Sequence, residues 1–310
     1  RALAARQEDE GDPRASLETI EALLDRLHGA DLAGVHLLEL HLHRLQVLMS
    51  LGRYDRVVEA CARAEALLDR ILPSWGGFFR TTLRLEGAYC AVYLDPRPQT
   101  ADELLKALEP VDLPGTMRFI ARSVRGELEL TRGNARTAAL IQRMSLRCAG
   151  HWRSLLGAGS QWELYILSMC LVTDVELDAD DAAELDAAAV RARAVPLLRD
   201  ILSDPAPRQR DIPTIMAFAA AVGLSVAAAE ETGSDRRAAG VELVATALAV
   251  GTNQTCRLLS RDYLRARTER VDAPALARAE ERIGALDRVR LVARATGLAR
   301  ALADGAGGAG

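Results

Sequence analysis

Four stretches of this sequence hold residue types whose spacing could do chemistry. Asp178, Asp180 and Asp181 crowd three carboxyl groups into four positions, spelling DxDD just ahead of an apolar helical pattern. Acids at a helix N-terminus are favoured by the helix dipole, and that role accounts for the stretch with no catalysis invoked. His36, Glu39 and His43 fall at i, i+3 and i+7, which puts two imidazoles and a carboxylate on one helical face with metal-ligand chemistry. Three side chains on one helix rarely close a metal site without a second cluster. None is evident in the sequence, so a polar stripe facing solvent or a groove is the preferred reading. Arg257, Arg261 and Arg265 recur every four residues, as do Arg278 with Arg282 and Arg290 with Arg294. On helices these are basic ridges that could meet nucleic-acid phosphates or an acidic partner. Asp262, Glu269, Glu280, Glu281 and Asp287 lie close enough to pair with many of them, which favours a salt-bridged surface. Lastly, the terminal GAGGAG contains GxGxxG, but with no strand before it and no helix after it residues 305–310 read as a flexible tail.

Several chemistries have no residues to carry them. Lys106 is the only lysine, and neither GxxxxGK[ST], HExxH nor GxSxG occurs. Cys61, Cys90, Cys148, Cys170 and Cys256 are isolated within apolar patterns, with no CxxC, and read as reduced, buried small hydrophobes. No catalytic residue, metal or cofactor is therefore expected. A net charge of -4 gives no overall attraction to polyanions, although from Gly251 onward eleven arginines face seven acids.

The elements that must position these residues are helices. Ala, Leu, Arg and Glu dominate, aromatics are 4%, and β-branched runs are scarce. The clearest unit is 45–68, LQVLMSLGRYDRVVEACARAEALL: an apolar helix stopped at Gly52, a tight turn, and a second apolar helix. The same grammar returns in GELELTRGNARTAAL around Gly133. Helices are predicted over 1–10, 14–27, 31–51, 54–72, 78–94, 100–108, 116–132, 135–148, 151–172, 180–202, 212–231, 236–250, 253–270 and 273–303, the last interrupted at Gly284. The run 212–229 carries no charge and reaches the lower edge of a membrane-spanning length. Its alanines and glycines, Pro213, and the lack of aromatic or basic flanks mark it instead as a fully buried central helix. A helix with one apolar stripe must stack on neighbours to bury it, so the fold expected is all-α: an α-solenoid of about seven antiparallel helix pairs spanning 1–304 as one domain.

Gly52, Arg53, Tyr54 and Asp55, followed by Val57, Cys61 and Ala64, resemble the second half of a tetratricopeptide repeat. Gly126, Glu127 and Leu128, then Gly133, Asn134 and Ala138, match the same repeat. The usual aromatic early in the first helix is missing. The resemblance implies a groove, lined by the first helices, that grips a protein or peptide segment. Aligning on Gly52 puts Leu42, Gln46 and Met49 where a carboxylate clamp would need Lys and Asn, so the clamp is absent. The groove candidates become Glu39, His43, Gln46, Arg84, Ser123 and Glu127. Such arrays are similar to the sensor or scaffold portions of bacterial transcription regulators, and the opening at Arg1 rather than Met fits a portion of a longer chain. The function expected is therefore a cytoplasmic, non-enzymatic binding module. Its partner would be a protein or peptide, or secondarily a small effector, with no membrane and no direct nucleic-acid contact. The alternative rests on Asp178, Asp180 and Asp181, whose DxDD resembles the general-acid motif with which class II terpene cyclases protonate an alkene. Those enzymes are also all-helical, but they line their cavities with the aromatics that this sequence lacks.

Overall fold

A computed structural model describes residues 2–10, 12–27, 34–71, 77–94, 99–109, 113, 115–149, 159–203, 211–229, 233–252, 254 and 256–304. The predicted breaks at 73–76, 95–98, 110, 114 and 204–207, the helix start at 151–158 and the 305–310 tail lie outside the described residues. Among the described residues the chain is all-helical, with fifteen α-helices and no strand. It divides into two compact units, Arg1–Gly133 and Asn134–Gly310.

The first unit holds α1 (Ala2–Asp9), α2 (Pro13–Leu27), α3 (Gly34–Ser50), α4 (Tyr54–Ile71), α5 (Gly77–Leu94), α6 (Gln99–Lys106) and α7 (Gly115–Thr131). Packing follows chain order: each helix rests on the one before it, and α5 also reaches α7. The sequence dictates this locally. Pro13 opens α2, where its missing N–H costs nothing, and the 3.6-residue stripe Leu17, Ile20 and Leu24 is buried. Gly52 adopts φ 68° and closes α3 with bonds from its own N–H to the Met49 carbonyl (2.9 Å) and from Arg53 N–H to the Leu48 carbonyl (2.9 Å). Gly133, at φ 84°, ends α7 in the same left-handed way. The reversal at Gly52 lays the stripe Val57, Cys61, Ala64 and Leu68 of α4 inward. Val57 and Leu68 each contribute about 1.5–3 kcal/mol by full burial, and the smaller Ala64 contributes less.

The second unit holds α8 (Ala135–Ala149), α9 (Gly159–Asp174), α10 (Ala179–Glu184), α11 (Ala187–Leu202), α12 (Ile212–Ala228), α13 (Ser234–Val250), a 3-10 turn (Arg257–Leu259), α14 (Arg261–Ile283) and α15 (Arg288–Asp304). The uncharged run is the buried central helix expected: in α12, 212–227 is inaccessible apart from Pro213 and Thr214. No helix among the described residues is long and apolar enough to cross a membrane. Helices α9, α11, α13 and α14 all pack on α12, and α15 returns to lie on α11 and α13. Glycines set the closest approach. The backbones of α12 and α13 touch where Gly223 faces Gly240, a separation that leaves no room for a Cβ on either. Outside that contact Glu242 of α13 accepts from Arg282 of α14 (3.0 Å) and Arg294 of α15 (2.7 Å), tying three helices through one nearly buried carboxylate.

Two predicted helices are corrected. The span 180–202 is broken at Asp186, which takes φ 53° and uses its carboxylate to cap the Ala189 N–H, so α11 restarts with its own N-cap. Among the described residues of the span 253–270 the α-helix starts at Arg261, after the 3-10 turn Arg257–Leu259, and the Ser260 hydroxyl accepts from the Tyr263 N–H. The expected breaks near 271–273 and at Gly284 are present, the first as non-helical Asp272 before Pro274.

Candidate functional site

In the first unit the groove candidates are largely engaged with neighbouring helices. Arg84 donates twice to Glu65 of α4 (3.0 and 2.8 Å), and His43 is joined to Glu8 of α1. Glu127 is buried and accepts from the Tyr93 hydroxyl of α5 (2.8 Å), and Ser123 is buried too. Glu39 lies 3.5 Å from His36 on its own helix, and Gln46 is exposed. These links belong to a recurrent device. Arg44, Arg84 and Arg125 recur about every 40 residues, and each reaches an acid on the preceding helix: Glu21, Glu65 and Asp102 respectively. Glu21 also takes Arg56 (2.5 Å), and Asp102 takes Lys106 (2.9 Å); Lys106 first, and then Arg125, hold the Asp102 carboxyl below its usual range. Among the described residues no three His, Cys, Asp or Glu side chains are grouped to hold a metal ion.

A second feature of this unit is apolar and acidic at once. Glu86 of α5 is desolvated, and its buried Oε2 has no hydrogen-bond partner among the described residues. Burial holds its carboxyl up to about 7. The Cys61 and Cys90 thiols beside it are pushed up as well, first by burial, then by carboxylates at Cys61 and by the Cys61 sulfur and carboxylates at Cys90, so neither is a ready nucleophile. Between pH 4.5 and about 7 the folded chain keeps a proton on Glu86 that the unfolded chain has lost, so this group's contribution to stability falls as pH rises through that window. Glu86→Gln is expected to flatten the pH dependence of urea unfolding and to add about 1–2 kcal/mol at pH 8. An unchanged profile between pH 5 and 8 would show that Glu86 ionises normally.

In the second unit the acidic motif is used structurally. Asp178 N-caps α10 by accepting from the Asp181 N–H (2.8 Å), Asp181 pairs with Arg136 of α8, and Arg136 also reaches Glu184 (2.7 Å). Asp180 is exposed. The first basic ridge is interrupted, because Arg257 sits in the 3-10 turn ahead of the helix that carries Arg261 and Arg265. Arg261 is exposed, while Arg265 is bound by Glu269 (3.0 Å) and, through two contacts, by Glu280. Of the five acids expected to neutralise the ridges, Glu269, Glu280 and Asp287 do so, and Glu242 is an unforeseen fourth.

Sequence reasoning missed a cleft of about 380 Å³ between the end of α9, α10, the start of α11 and the end of α12. Its polar lining is Asp174, Asp178, Arg191 and Ser225, and seven alanines make up most of the rest. Asp174 is almost fully buried and receives a two-pronged Arg143 guanidinium (2.7 and 3.0 Å), whose Nε donates to the Leu185 carbonyl (2.7 Å). Burial raises the Asp174 carboxyl above its ordinary value, and Arg143 and Arg191 pull it part of the way back. No family model, curated protein or solved structure matches this chain. Its chemistry is therefore read from the residues alone. The one signal that pointed to the cleft was a charge at the end of α9, where Asp174 closes the otherwise uncharged run 164–173.

Proposed function

We propose that the chain is a non-enzymatic helical-repeat module, similar to tetratricopeptide arrays, that binds a protein or peptide segment as the sensor or scaffold portion of a larger bacterial regulator. One observation carries the reading: the clasp of Arg44, Arg84 and Arg125 on the acid of the preceding helix. A contact repeated at near-constant spacing between successive helices is what an array of stacked pairs requires. A solenoid of such pairs presents an extended face made from many helices, and an extended segment is its natural occupant. The glycine-ended turns at 52 and 133, with small buried residues at Val57, Cys61, Ala64 and Ala138, support the same repeat. The terpene-cyclase alternative finds less support, because two of its three acids are engaged in a cap and an ion pair.

The test is peptide display on the purified full chain. Enrichment of a sequence-related peptide family is expected. Binding should fall at least tenfold in the Gln46→Lys variant, whose exposed side chain can change without breaking an inter-helix clasp. The absence of enrichment, together with turnover of a polyprenyl diphosphate that Asp180→Ala abolishes, would replace the binding module with an enzyme.

A further inference from the structure

Glu86 carries a buried carboxyl oxygen that nothing around it satisfies. Its Oε2 is covered and has no hydrogen-bond partner among the described residues. A carboxylate without a donor or counter-ion is disfavoured in such a place, whereas the neutral acid is tolerated. The titratable groups nearest to it are thiols and acids: Cys61 and Glu65 on α4, Cys90 one turn along α5, and Glu127 on α7. The charges on the helices that pack against α5 are committed elsewhere. Glu65 of α4 takes Arg80 and Arg84, Asp102 of α6 takes Lys106 and Arg125 of α7, Glu103 of α6 faces water, and Glu127 accepts from Tyr93. None of them offsets the burial that pushes up the Glu86 carboxyl.

The next residue shows what closes the seam between α4 and α5. A Cβ on Gly87 would lie 3.8 Å from the Cys61 Cβ of α4 and 3.5 Å from a Leu104 methyl of α6, so this stretch of α5 is enclosed from both sides. Helix α6 has only eight residues and rests chiefly on α5. Two turns of helix do not hold their shape alone in water, so α6 is ordered by its docking. An element of that kind opens locally at lower cost than the fold as a whole. Opening gives Glu86 water as a partner, and the ionised form gains most from it. The closed form keeps the Glu86 proton up to about pH 7, whereas the carboxyl in water releases it near 4.5. Closure is therefore strongest below pH 4.5, weakens as pH rises through that window, and stays at its weakest above about 7.

We propose that α6 is a lid on the α4–α5 seam, shut while Glu86 is protonated and lifted when Glu86 ionises, so that Cys61 and Cys90 become reachable from solution.

Timed labelling of the full chain with a dipyridyl disulfide, read cysteine by cysteine by mass spectrometry, tests this between pH 5 and 8. Each rate is divided by that of the same cysteine in the urea-unfolded chain at the same pH, which removes the ionisation of the thiol itself. The corrected rates at Cys61 and Cys90 should rise together by about tenfold or more from pH 5 to 7 and level off above about 7.5. Cys170 and Cys256, buried in the second unit, should show no such rise. Glu86→Gln should remove the rise. Leu104→Ala, which thins the lid without touching a charge, should speed both thiols severalfold at pH 6 while circular dichroism stays unchanged. Corrected rates that ignore pH, that rise at one thiol only, that keep their rise in Glu86→Gln or that ignore Leu104→Ala would overturn the proposal. So would a parallel rise at Cys170 and Cys256, or labelling with the full urea dependence of global unfolding, because the thiols would then be reached only in the unfolded chain.

Discussion

Gly223→Ala is expected to lower the unfolding free energy of the second unit by about 2–3 kcal/mol or more, although it adds a single methyl group. A Cβ at 223 would stand 2.6 Å from the Gly240 carbonyl oxygen, 3.1 Å from a Val244 methyl and 3.2 Å from Leu243 Cβ. The first of these atoms is backbone and cannot rotate away, so α12 and α13 must separate, and every side chain packed along them loses contact. The crossing is reciprocal. A Cβ on Gly240 would meet the Gly223 carbonyl at 2.7 Å and the Ala227 nitrogen at 3.0 Å, so Gly240→Ala should cost a similar amount. Once either methyl has driven the helices apart the other finds space, and the double variant should therefore cost well under the sum. Gly297 of α15 is the control: nothing lies within 4 Å of its added Cβ, and Gly297→Ala should stabilise by about 0.5–1 kcal/mol through helix propensity alone. Chemical unfolding followed by circular dichroism reads all four. Additive costs at 223 and 240, or a neutral Gly223→Ala, would mean that the helices do not meet there.

Features that follow from local periodicity or turn chemistry were legible in the sequence. The glycine after α3 and the one after α7 announce left-handed caps because glycine, lacking a Cβ, takes that conformation at the least cost, and both adopt it. The uncharged run at 212–229 could be placed in the interior because a helix apolar on all sides has no face to offer water. Features created by the meeting of distant segments were not legible. Nothing near Glu86 or Glu127 in sequence marks them as desolvated; each becomes so only when α5 is covered by its neighbours. Asp186 looks like any helical acid until its own carboxylate caps the chain that follows. The clasp arginines were visible as charges, but their acids lie 19 to 23 positions away, on other helices. The cleft was hidden for the same reason, since its polar groups come from three helices and its wall from alanines that in sequence read as ordinary helix filler.

The second large effect belongs to the ion pair behind that cleft. Asp174 and Arg143 expose only 4% and 12% of their side chains, and at that depth removing one partner strands the other's charge. Arg143→Met should therefore cost about 3–5 kcal/mol at pH 7, and Asp174→Leu about as much. Replacing both should cost far less than the two together, because a methionine–leucine contact leaves neither member of the pair as a stranded charge and avoids the desolvation that the native pair must offset. A pH series separates this account from simple loss of packing. Burial already raises the Asp174 carboxyl, and Arg143 opposes that rise. With the arginine gone the folded-state value climbs further while the unfolded value stays near 3.8, so the folded chain binds a proton that the unfolded chain does not. The penalty in Arg143→Met should then shrink as pH falls from 7 toward 5, since protonation cancels the stranded charge, whereas a void would cost the same at every pH. A pH-independent penalty, or additivity in the double-variant cycle, would show that the pair is held by its packing and not by its charges.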